Sequence, residues 1–420
     1  MSFDPWDGSP PASEPLGDHE VPLLSDHLVG RRIALLVSGS IAALRTPDLA
    51  RSLRRRGAEV TAFCSAEAFH YVGRQALEWA TCRPVISELS WRAEHLSDAT
   101  PFDAWLLAPA TYNTIGKLAA GIADTVVTAA LASALGRLQQ GLTRILVAPT
   151  MHGSLHTPVL ERNWRQLTEL GVEFLTPRDA GGKHNLPAGD WIAAAVCRSL
   201  SRSALRGRRL LVTGGPTPVP IDGVRRLVNR FSGRLAAAVA AEFSLRGARV
   251  ELLLGEGSQP PPSWLASVNV PSFDSYRQQV LDAVAAGLDG AVLSAGVADY
   301  RPRRVHTGKI ASGQPQLILE LEPTEKVIEL VRAADPALRL VSFKYLEGVD
   351  VPELLAVARR RLLPGGLVVA NRGEEVQGSE QTAWLVAERG ERQLRGKAQI
   401  AAGIADHLEQ GWPLAGQVIR

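Results

Sequence analysis

Two stretches of the chain share one pattern of apolar and polar positions. RRIALLVSGS is a buried-strand run ending in a glycine turn, and PDLARSLRRRGAEV after it has the apolar spacing of an amphipathic helix that closes on Gly57. RRLLVTGG repeats the strand and turn, and RLAAAVAAEFSLRGARV repeats the helix, closing on Gly247. Val37 to Gly57 spans 20 positions and Val212 to Gly247 spans 35, so the second copy carries about fifteen extra residues after its turn. Further along, AWLLAPA, RILVAPT, GAVLSAG, LRLVSFKY and GLVVANR are apolar runs bounded by turn residues and separated by helical patterns. Strands alternating with helices predict an α/β chain with one doubly wound, mainly parallel sheet per half and sites outside the carboxyl ends of the strands. The stretch AWLVAERGERQLRG reads as a hairpin and predicts an antiparallel edge on the second sheet.

This pattern divides the chain into a disordered tail over 1–27 and two Rossmann-like domains over 28–203 and 207–412. At 420 residues, with 45% hydrophobic and 21% charged, the chain has the length and composition of a globular protein of two or three domains. No apolar run reaches the roughly 18 residues of a membrane span. The start MSFDPWDGSPPASEPLGDHE is acidic and rich in Pro and Ser, unlike a signal peptide, so the expected location is the cytoplasm. Cys64, Cys82 and Cys197 are odd in number and widely spaced, which supports neither a disulfide framework nor a zinc site and predicts three small core residues. His152 and His156 stand four apart without the Glu of an HExxH motif, and read as loop or helix-start histidines. The net charge is +3 and the arginines lie in short runs, which favours anionic small molecules over nucleic acid as partners.

The candidate chemistry begins at VSGSIAA, where Gly39 and Ser40 occupy a strand-to-helix turn whose backbone N–H groups would face an anion. ATYNTIGKLAAGIADT then offers Asn113, Thr114 and Asp124 at a strand's carboxyl end among small residues; taken singly, each also fits a helix cap. With these residues in place, HLSDATPFDAWLLAPATYNTIGKLAAGIADT resembles the active-site region of the flavin-containing cysteine decarboxylases, in which a His lies fourteen residues before the Pro of a P-A-S/T-x-N-T motif, as His95 precedes Pro109 here. The resemblance implies FMN bound near Gly39, Ser40, Ser65 and the Thr111 to Thr114 segment. It implies His95 and Asn113 as catalytic residues, with His95 the base in oxidation of an aminoethanethiol group, a role to which an imidazole is suited. The family's P-x-M-N-x-x-M-W substrate motif stands here as PTMHGSLH, keeping Met151 but with His152 and Leu155 at the Asn and second Met positions. The family's clamp cysteine has no counterpart in DAGGKHNLPAGD, from Asp179 to Asp190, which predicts slow or arrested decarboxylation after the oxidative step.

In the second half VTGGPTPVPIDGVRRLVNRFSG contains no GxGxxG, which argues against a tandem NAD(P) oxidoreductase. It resembles the I-D-x-V-R-x-I-x-N-x-S-S-G stretch of phosphopantothenate-cysteine ligases, with Ile221, Asp222, Val224, Arg225, Leu227, Asn229, Ser232 and Gly233 in register and Phe231 at the first Ser. SAGVADYRPRRVHTGKI resembles the same family's A-A-V-A-D-Y followed by K-I-K-K, with Asp299 and Lys309 ten residues apart. The two signatures together identify residues 30 to 412 as similar to the bifunctional decarboxylase and ligase family of coenzyme A biosynthesis.

That resemblance implies CTP and Mg²⁺ in the second half. Gly214, Gly215, Ser294, Ala295, Asp299, Lys309, Phe343 and Arg359 would hold the nucleotide, with Lys344 and Asn371 completing the pocket, and Asp299 would hold the metal. Arg225, Asn229 and Met151 would hold substrate, Asn229 acting on the reacting acyl group and Lys309 offsetting charge as a phosphoanhydride breaks. It also implies a homo-oligomer, trimeric through the flavin half and dimeric through the ligase half. The alternative expectation is a ligase alone, with the first half a catalytically impaired FMN-binding scaffold or interaction module.

Overall fold

The computed structural model describes residues 8–10, 16–96, 100–313, 315–377, 380–410 and 412. The chain forms two compact units that divide between Val196 and Cys197. Of the predicted tail, residues 1–7 and 11–15 lie outside the described residues. The end of the tail is a correction: Leu24 and Ser25 donate their N–H groups to the Arg55 carbonyl at 2.7 and 3.4 Å. The carbonyls that end a helix lack partners within it, and here the incoming chain supplies donors for them.

The first unit is a five-stranded parallel sheet in the order β2-β1-β3-β4-β6. In chain order its elements are β1 Arg32–Val37, α1 Thr46–Arg54, β2 Glu59–Cys64, α2 Arg74–Thr81, β3 Ala104–Ala110, α3 Tyr112–Ala119, α4 Val126–Gln139, β4 Arg144–Pro149, β5 Met151–His152, α5 Pro158–Glu169, β6 Glu173–Phe174, β7 Arg178–Ala180, β8 Lys183–Asn185 and α6 Gly189–Leu200. The strands read as unbroken apolar runs because helices cover both faces; all seven residues of β3 are buried. On one face Phe63, Phe102 and Trp105 cluster with ring centroids 4.9 to 5.9 Å apart, Phe102 edge to face with both of the others, and α3, α4 and α5 close over them. β5, β8 and β7 form a separate antiparallel ribbon, with Met151 opposite His184 and His184 opposite Asp179. Its hairpin turn, Gly181–Gly182, needs φ of +61° and +67°, which glycine adopts without strain.

The second unit follows the same logic with more strands. Its elements are β9 Arg209–Gly214, β10 Val219–Pro220, β11 Arg226–Leu227, α7 Arg234–Leu245, β12 Arg249–Gly255, β13 Val268–Val270, α8 Phe273–Ala285, β14 Gly290–Leu293, β15 Tyr300–Pro302, β16 Leu321–Pro323, α9 Val327–Ala334, β17 Arg339–Leu346, α10 Val351–Arg361, β18 Leu367–Arg372, β19 Val376–Gln377, β20 Glu380–Ala387, β21 Gly390–Arg395 and α11 Lys397–Glu409. β13-β12-β9-β14-β17-β18 are parallel, and β20 adds antiparallel to β18. The hairpin β20–β21 is the edge the sequence predicts. The fifteen extra residues after β9 carry the short ribbon β10–β11. Among the described residues no helix is long and apolar enough to cross a membrane.

In each sheet the chain winds outward from its first strand to one side and then crosses to the other. The reversal falls between β1 and β3 in the first unit and between β9 and β14 in the second, so each has a crevice at the carboxyl ends of those strand pairs. Of the three cysteines, Cys64 and Cys197 are buried, and burial pushes the Cys64 thiol up to about 12 against an opposing pull from Arg74. Cys82 departs from the sequence expectation: it is exposed, in the left-handed conformation that ends α2.

The strand ends are packed backbone to backbone. A Cβ on Gly255, at the end of β12, would lie 1.6 Å from the Pro216 carbonyl oxygen, whereas one on Gly136, exposed inside α4, would meet nothing within 4 Å. Gly255→Ala should therefore lower the melting temperature, with a cost of about 1–3 kcal/mol. Gly136→Ala should raise it by the equivalent of about 0.5–1 kcal/mol through helix propensity. Calorimetry on the two variants checks both signs.

Candidate active sites

In the first crevice the turn after β1 is held by a buried hydroxyl. Ser38 Oγ donates to the Pro109 carbonyl at 2.6 Å and accepts from the Thr111 N–H at 3.3 Å, tying the end of β1 to the end of β3. Thr111 then caps α3, its Oγ1 accepting from the Thr114 N–H at 3.3 Å and lying 2.9 Å from Thr114 Oγ1. Asn113 is exposed on the first turn of that helix. Ser40 caps a 3-10 turn, Ile41–Arg45, in place of the α-helix start the sequence suggests. Gly39 admits no side chain, since its Cβ would lie 2.6 Å from that of Glu67.

Ser65, at the end of β2, is 6% exposed, and its Oγ has no hydrogen-bond partner among the described residues. A buried hydroxyl left unpaired costs about 1–3 kcal/mol, and its place beside the β1 turn fits a polar ligand atom. His95 stands in the turn that ends at Leu96, with its Nδ1 enclosed and without a partner among the described residues. Asp124 is engaged by Lys117, 2.6 Å away. Met151 is a correction to the substrate set: it is 7% exposed and its side chain belongs to the core beneath β3 and β4. The apolar thioether fills the core.

The second crevice is built by small residues and threonines. A Cβ on Gly214 would lie 2.2 Å from that of Ala236 in α7, and Gly215 has φ +72°. Thr213 Oγ1 accepts from the Ala295 N–H at 3.4 Å and Thr217 Oγ1 from the Ala298 N–H at 2.8 Å, so the segment after β14 lies along the glycine turn. Ser294 Oγ donates to the Thr213 carbonyl at 2.6 Å. Asn229 donates from Nδ2 to the Gly296 and Val297 carbonyls at 3.0 and 3.2 Å. That geometry spends its donors on the protein and leaves its oxygen free as an acceptor. Asp299 is exposed and lies 2.5 Å from Lys326 Nζ.

The insert is locked to the lysine loop by Asp222, whose carboxylate side chain is buried. Its Oδ1 accepts from the Val224 and Arg225 N–H groups at 2.8 and 2.6 Å, and its Oδ2 from Arg225 Nη1 at 2.6 Å and the Ile310 N–H at 3.0 Å. Gly223 N–H donates to the Gly308 carbonyl at 2.8 Å, so Lys309 is flanked on both sides by bonds to the insert while its own side chain is exposed. Burial works to raise the Asp222 carboxyl and is overcome by those backbone donors and the Arg225 guanidinium, which hold it well below the usual carboxylate range. Arg225 is thereby committed to Asp222 and to the Ile310 carbonyl at 3.3 Å.

Gly214, Gly215, Ser294, Ala295 and Asn229 thus meet at one crevice, and Lys309 joins the insert that borders it. Phe343 is half-buried against the core on β17. Burial, then Arg361, push the neighbouring Lys344 amine below its ordinary range, with Lys326 adding to the effect and Asp299 opposing it. Arg359 is a correction. It lies in the last turn of α10 and pairs with Glu391, which is level with Val386 and through it with Val368, at the start of β18 rather than at its carboxyl end. Sequence reading missed Ser38, Thr213, Thr217 and Lys326, and quoted Asp222 without a role. The threonines on either side of GG were the available signal.

Residues 23–200 match the family Flavoprotein, and residues 205–411 match the DNA/pantothenate metabolism flavoprotein C-terminal domain. The chain is 36% identical over 416 residues to the coenzyme A biosynthesis bifunctional protein CoaBC of Thermococcus kodakarensis, covering 93% of this chain and 99% of that one. It is 30% identical over 415 residues to the CoaBC protein of Mycobacterium tuberculosis, covering 90% and 96%. Among solved structures it is similar to the DNA/pantothenate metabolism flavoprotein from Streptococcus pneumoniae, with a TM-score of 0.44 and 22% identity over 48% of this chain and 99% of that one.

Asp222 gives a pH test. Its carboxyl lies lower in the folded chain than the roughly 3.9 of an unfolded Asp. Its stabilisation is therefore complete above about pH 5 and is lost only as pH falls through the depressed folded value. Amide exchange at Val224, Arg225 and Ile310 should report no loosening of the lock between pH 8 and 5. Asp222→Ala should release all three amides together at pH 7; protection that survives the substitution would contradict the lock.

Proposed function

From the premise that the chain belongs to the family of coenzyme A biosynthesis bifunctional proteins, we propose that its second unit joins 4′-phosphopantothenate to cysteine with CTP and its first unit decarboxylates the product with FMN. The protein is an enzyme with a ligase unit and a flavoprotein decarboxylase unit. The observation that carries this reading is the match to bifunctional relatives through both units, which does not favour a ligase carrying an inert scaffold. We place the protein in the cytoplasm as a homo-oligomer acting on small molecules.

In the second unit a phosphopantothenate carboxylate oxygen attacks the α-phosphate of CTP, pyrophosphate leaves, and the cysteine amine displaces CMP from the acyl-cytidylate. An unactivated carboxylate has no leaving group, and the nucleotide supplies one. The glycine turn from Gly214 to Pro216 and the segment from Ser294 to Ala298 form the walls of the nucleotide crevice. Lys309, steadied by Asp222, offsets the charge that develops on the leaving phosphates. One exposed carboxylate, Asp299, suits Mg²⁺, which binds through one or two carboxylates together with substrate phosphates. Among the described residues no group of three or more His, Cys, Asp or Glu is arranged for a metal. With its Nδ2 committed to Gly296 and Val297, Asn229 accepts from the incoming amine through its free oxygen.

In the first unit the unpaired Ser65 hydroxyl, the Gly39–Ser40 turn and the Thr111–Thr114 segment fit FMN. FMN bound there would supply the two-electron oxidation that turns the substrate's thiol carbon into the electron sink the departing carboxylate needs. His95, with its unpartnered Nδ1, takes up the proton released in the oxidation, and Asn113 orients the substrate from the first turn of α3.

Two outcomes test these roles. Flavin-free chain titrated with FMN should turn yellow at one flavin per chain, and Ser65→Ala should bind about tenfold more weakly, the loss of one hydrogen bond. A chain that takes up no FMN would end the flavin assignment. In the ligase, Lys309→Ala should abolish pyrophosphate release. Asn229→Leu, which removes the accepting oxygen, should still release pyrophosphate and lose amide formation about 10²- to 10⁴-fold. Following pyrophosphate and amide separately decides the matter: loss of pyrophosphate release in both variants alike would refute the division of roles.

A further inference from the structure

Two positions in the second crevice differ together from the ligase family's patterns. Phe231 stands at the first Ser of I-D-x-V-R-x-I-x-N-x-S-S-G, and Gly296 stands at the second Ala of A-A-V-A-D-Y. They touch in the fold: a Cβ on Gly296 would lie 2.1 Å from Phe231 Cδ2, 2.8 Å from Cε2 and 3.1 Å from Cγ. The phenyl ring therefore occupies the volume into which an alanine methyl at 296 would project. With the ring so placed, position 296 must be glycine. The exchange replaces a hydroxyl and a methyl with one larger apolar surface.

The ring sits where the walls of the crevice join. Gly296 N–H donates to the Gly215 carbonyl at 2.8 Å, which ties the segment after β14 to the glycine turn after β9. The Gly296 carbonyl accepts from Asn229 Nδ2 at 3.0 Å, so the ring of Phe231 and the side-chain amide of Asn229 are seated on the same residue. Phe231 also meets Tyr345, at the carboxyl end of β17, edge to face with ring centroids 5.8 Å apart. Tyr345 is fixed in turn: its Oη donates to Glu347 Oε1 at 2.5 Å, and a Cβ on Gly373 would lie 2.5 Å from that oxygen. Phe231 and Tyr345 nevertheless remain 42% and 38% exposed. Single exposed apolar residues need no explanation, but these two rings are held against each other on the wall of a polar crevice. They place an apolar surface beside the oxygen that receives the incoming amine.

We propose that Phe231 is a specificity-determining residue of the ligase, keeping water from the acyl-cytidylate so that the cysteine amine alone takes the acyl group, with Tyr345 as the positioning residue of the ring. This rests on the reading of the second unit as a ligase. An acyl-cytidylate reacts with any nucleophile that reaches it, and excluding water is how a site prevents hydrolysis of such an intermediate. In the productive course the amine nitrogen bonds to the acyl carbon, the bond from that carbon to the phosphate oxygen breaks, and CMP leaves with the electron pair while the amine gives up a proton. In the wasteful course a water oxygen makes the same attack, CMP leaves in the same way, and phosphopantothenate is returned with protons released to solvent. Each course consumes one CTP; only the first yields amide. A phenyl ring gives water no hydrogen-bond partner at that place, whereas the amine still finds the Asn229 oxygen. The device is particular to a chain that pairs Phe231 with Gly296.

The test follows pyrophosphate, CMP and amide together in the full-length chain supplied with phosphopantothenate, CTP, Mg²⁺ and cysteine. The unaltered chain should form CMP and amide in equal amounts. Phe231→Ser should release pyrophosphate at the unaltered rate and form CMP about tenfold in excess of amide, a shift of about 1.4 kcal/mol between the two competing barriers. Tyr345→Leu tests the same device without altering the insert, and should move the ratio the same way by about threefold, the worth of an edge-to-face aromatic pair. In a single turnover in ¹⁸O-water the excess CMP should be matched by ¹⁸O in the recovered phosphopantothenate carboxylate, because water attacks the acyl carbon. Label in CMP instead would mark direct hydrolysis of CTP and overturn the proposal. Equal CMP and amide from both variants would overturn it too, and so would loss of pyrophosphate release from a folded Phe231→Ser chain, which marks a role in holding the nucleotide. The double variant Phe231→Ser, Gly296→Ala separates shielding from packing. Its methyl refills the space the ring leaves, so the ratio should stay raised; a return to equal amounts would reduce the ring to a space filler and refute the proposal. An unaltered chain that releases neither pyrophosphate nor CMP from these substrates would sink the ligase reading itself.

Discussion

A parallel sheet wound first to one side and then to the other must leave two adjacent strands whose onward connections diverge, and between their carboxyl ends nothing in the sheet itself fills the space. Both units are organised around that vacancy. The constraint dictates which residues stand there: glycine where two backbones approach, as at Gly39, Gly214 and Gly255, and hydroxyls where loop amides would otherwise lack partners, as at Ser38, Thr213 and Thr217. The buried strands that carry these ends supply rigidity, and the divergent loops supply chemistry.

Winding alone finishes neither crevice. Each is completed by a segment outside the parallel sheet and fastened by a carboxylate. In the second unit Asp222 gathers four donors from the insert and from the loop of Lys309, so two segments about 85 residues apart in sequence behave as one wall. In the first, Asp179 fixes His184 on a ribbon that joins the two sides of the opening. The two solutions differ in protein chemistry. Asp222 is held charged by backbone amides and serves geometry, whereas Asp179 holds an imidazole whose second nitrogen meets the ring of His156.

The α/β class, the two parallel sheets and the antiparallel edge were legible because buried strands such as AWLLAPA are continuous apolar runs and the helices between them are amphipathic. The glycine turns were legible for the same reason, since they interrupt those runs. Three things were not. Met151 stands in a motif that suggests substrate contact, yet its thioether is taken by the core, a matter of which way one side chain points at a strand end. Arg359 follows a strand that ends at the crevice, but α10 runs back along the sheet and carries it to the far end, where Glu391 binds it. Asp222 was visible as a letter in a pattern, while its role depends on a partner, Ile310, 88 residues away. Side-chain direction and long-range pairing are set by tertiary packing, which no local window contains.

The two acidic residues of the second crevice meet solvent very differently. The Asp222 side chain is fully enclosed, while Asp299 and its partner Lys326 are 69% and 54% exposed. Mobile ions screen exposed charges over a Debye length of about 8 Å at physiological ionic strength and barely reach enclosed ones. Added salt therefore acts on one pair and spares the other: it loosens the hold of Lys326 on Asp299, an exposed pair worth at most about 1 kcal/mol, and leaves the wall around Lys309 intact. Ionic strength is thus a built-in means of varying how readily the exposed carboxylate exchanges its lysine for another cation without disturbing the frame in which that exchange occurs.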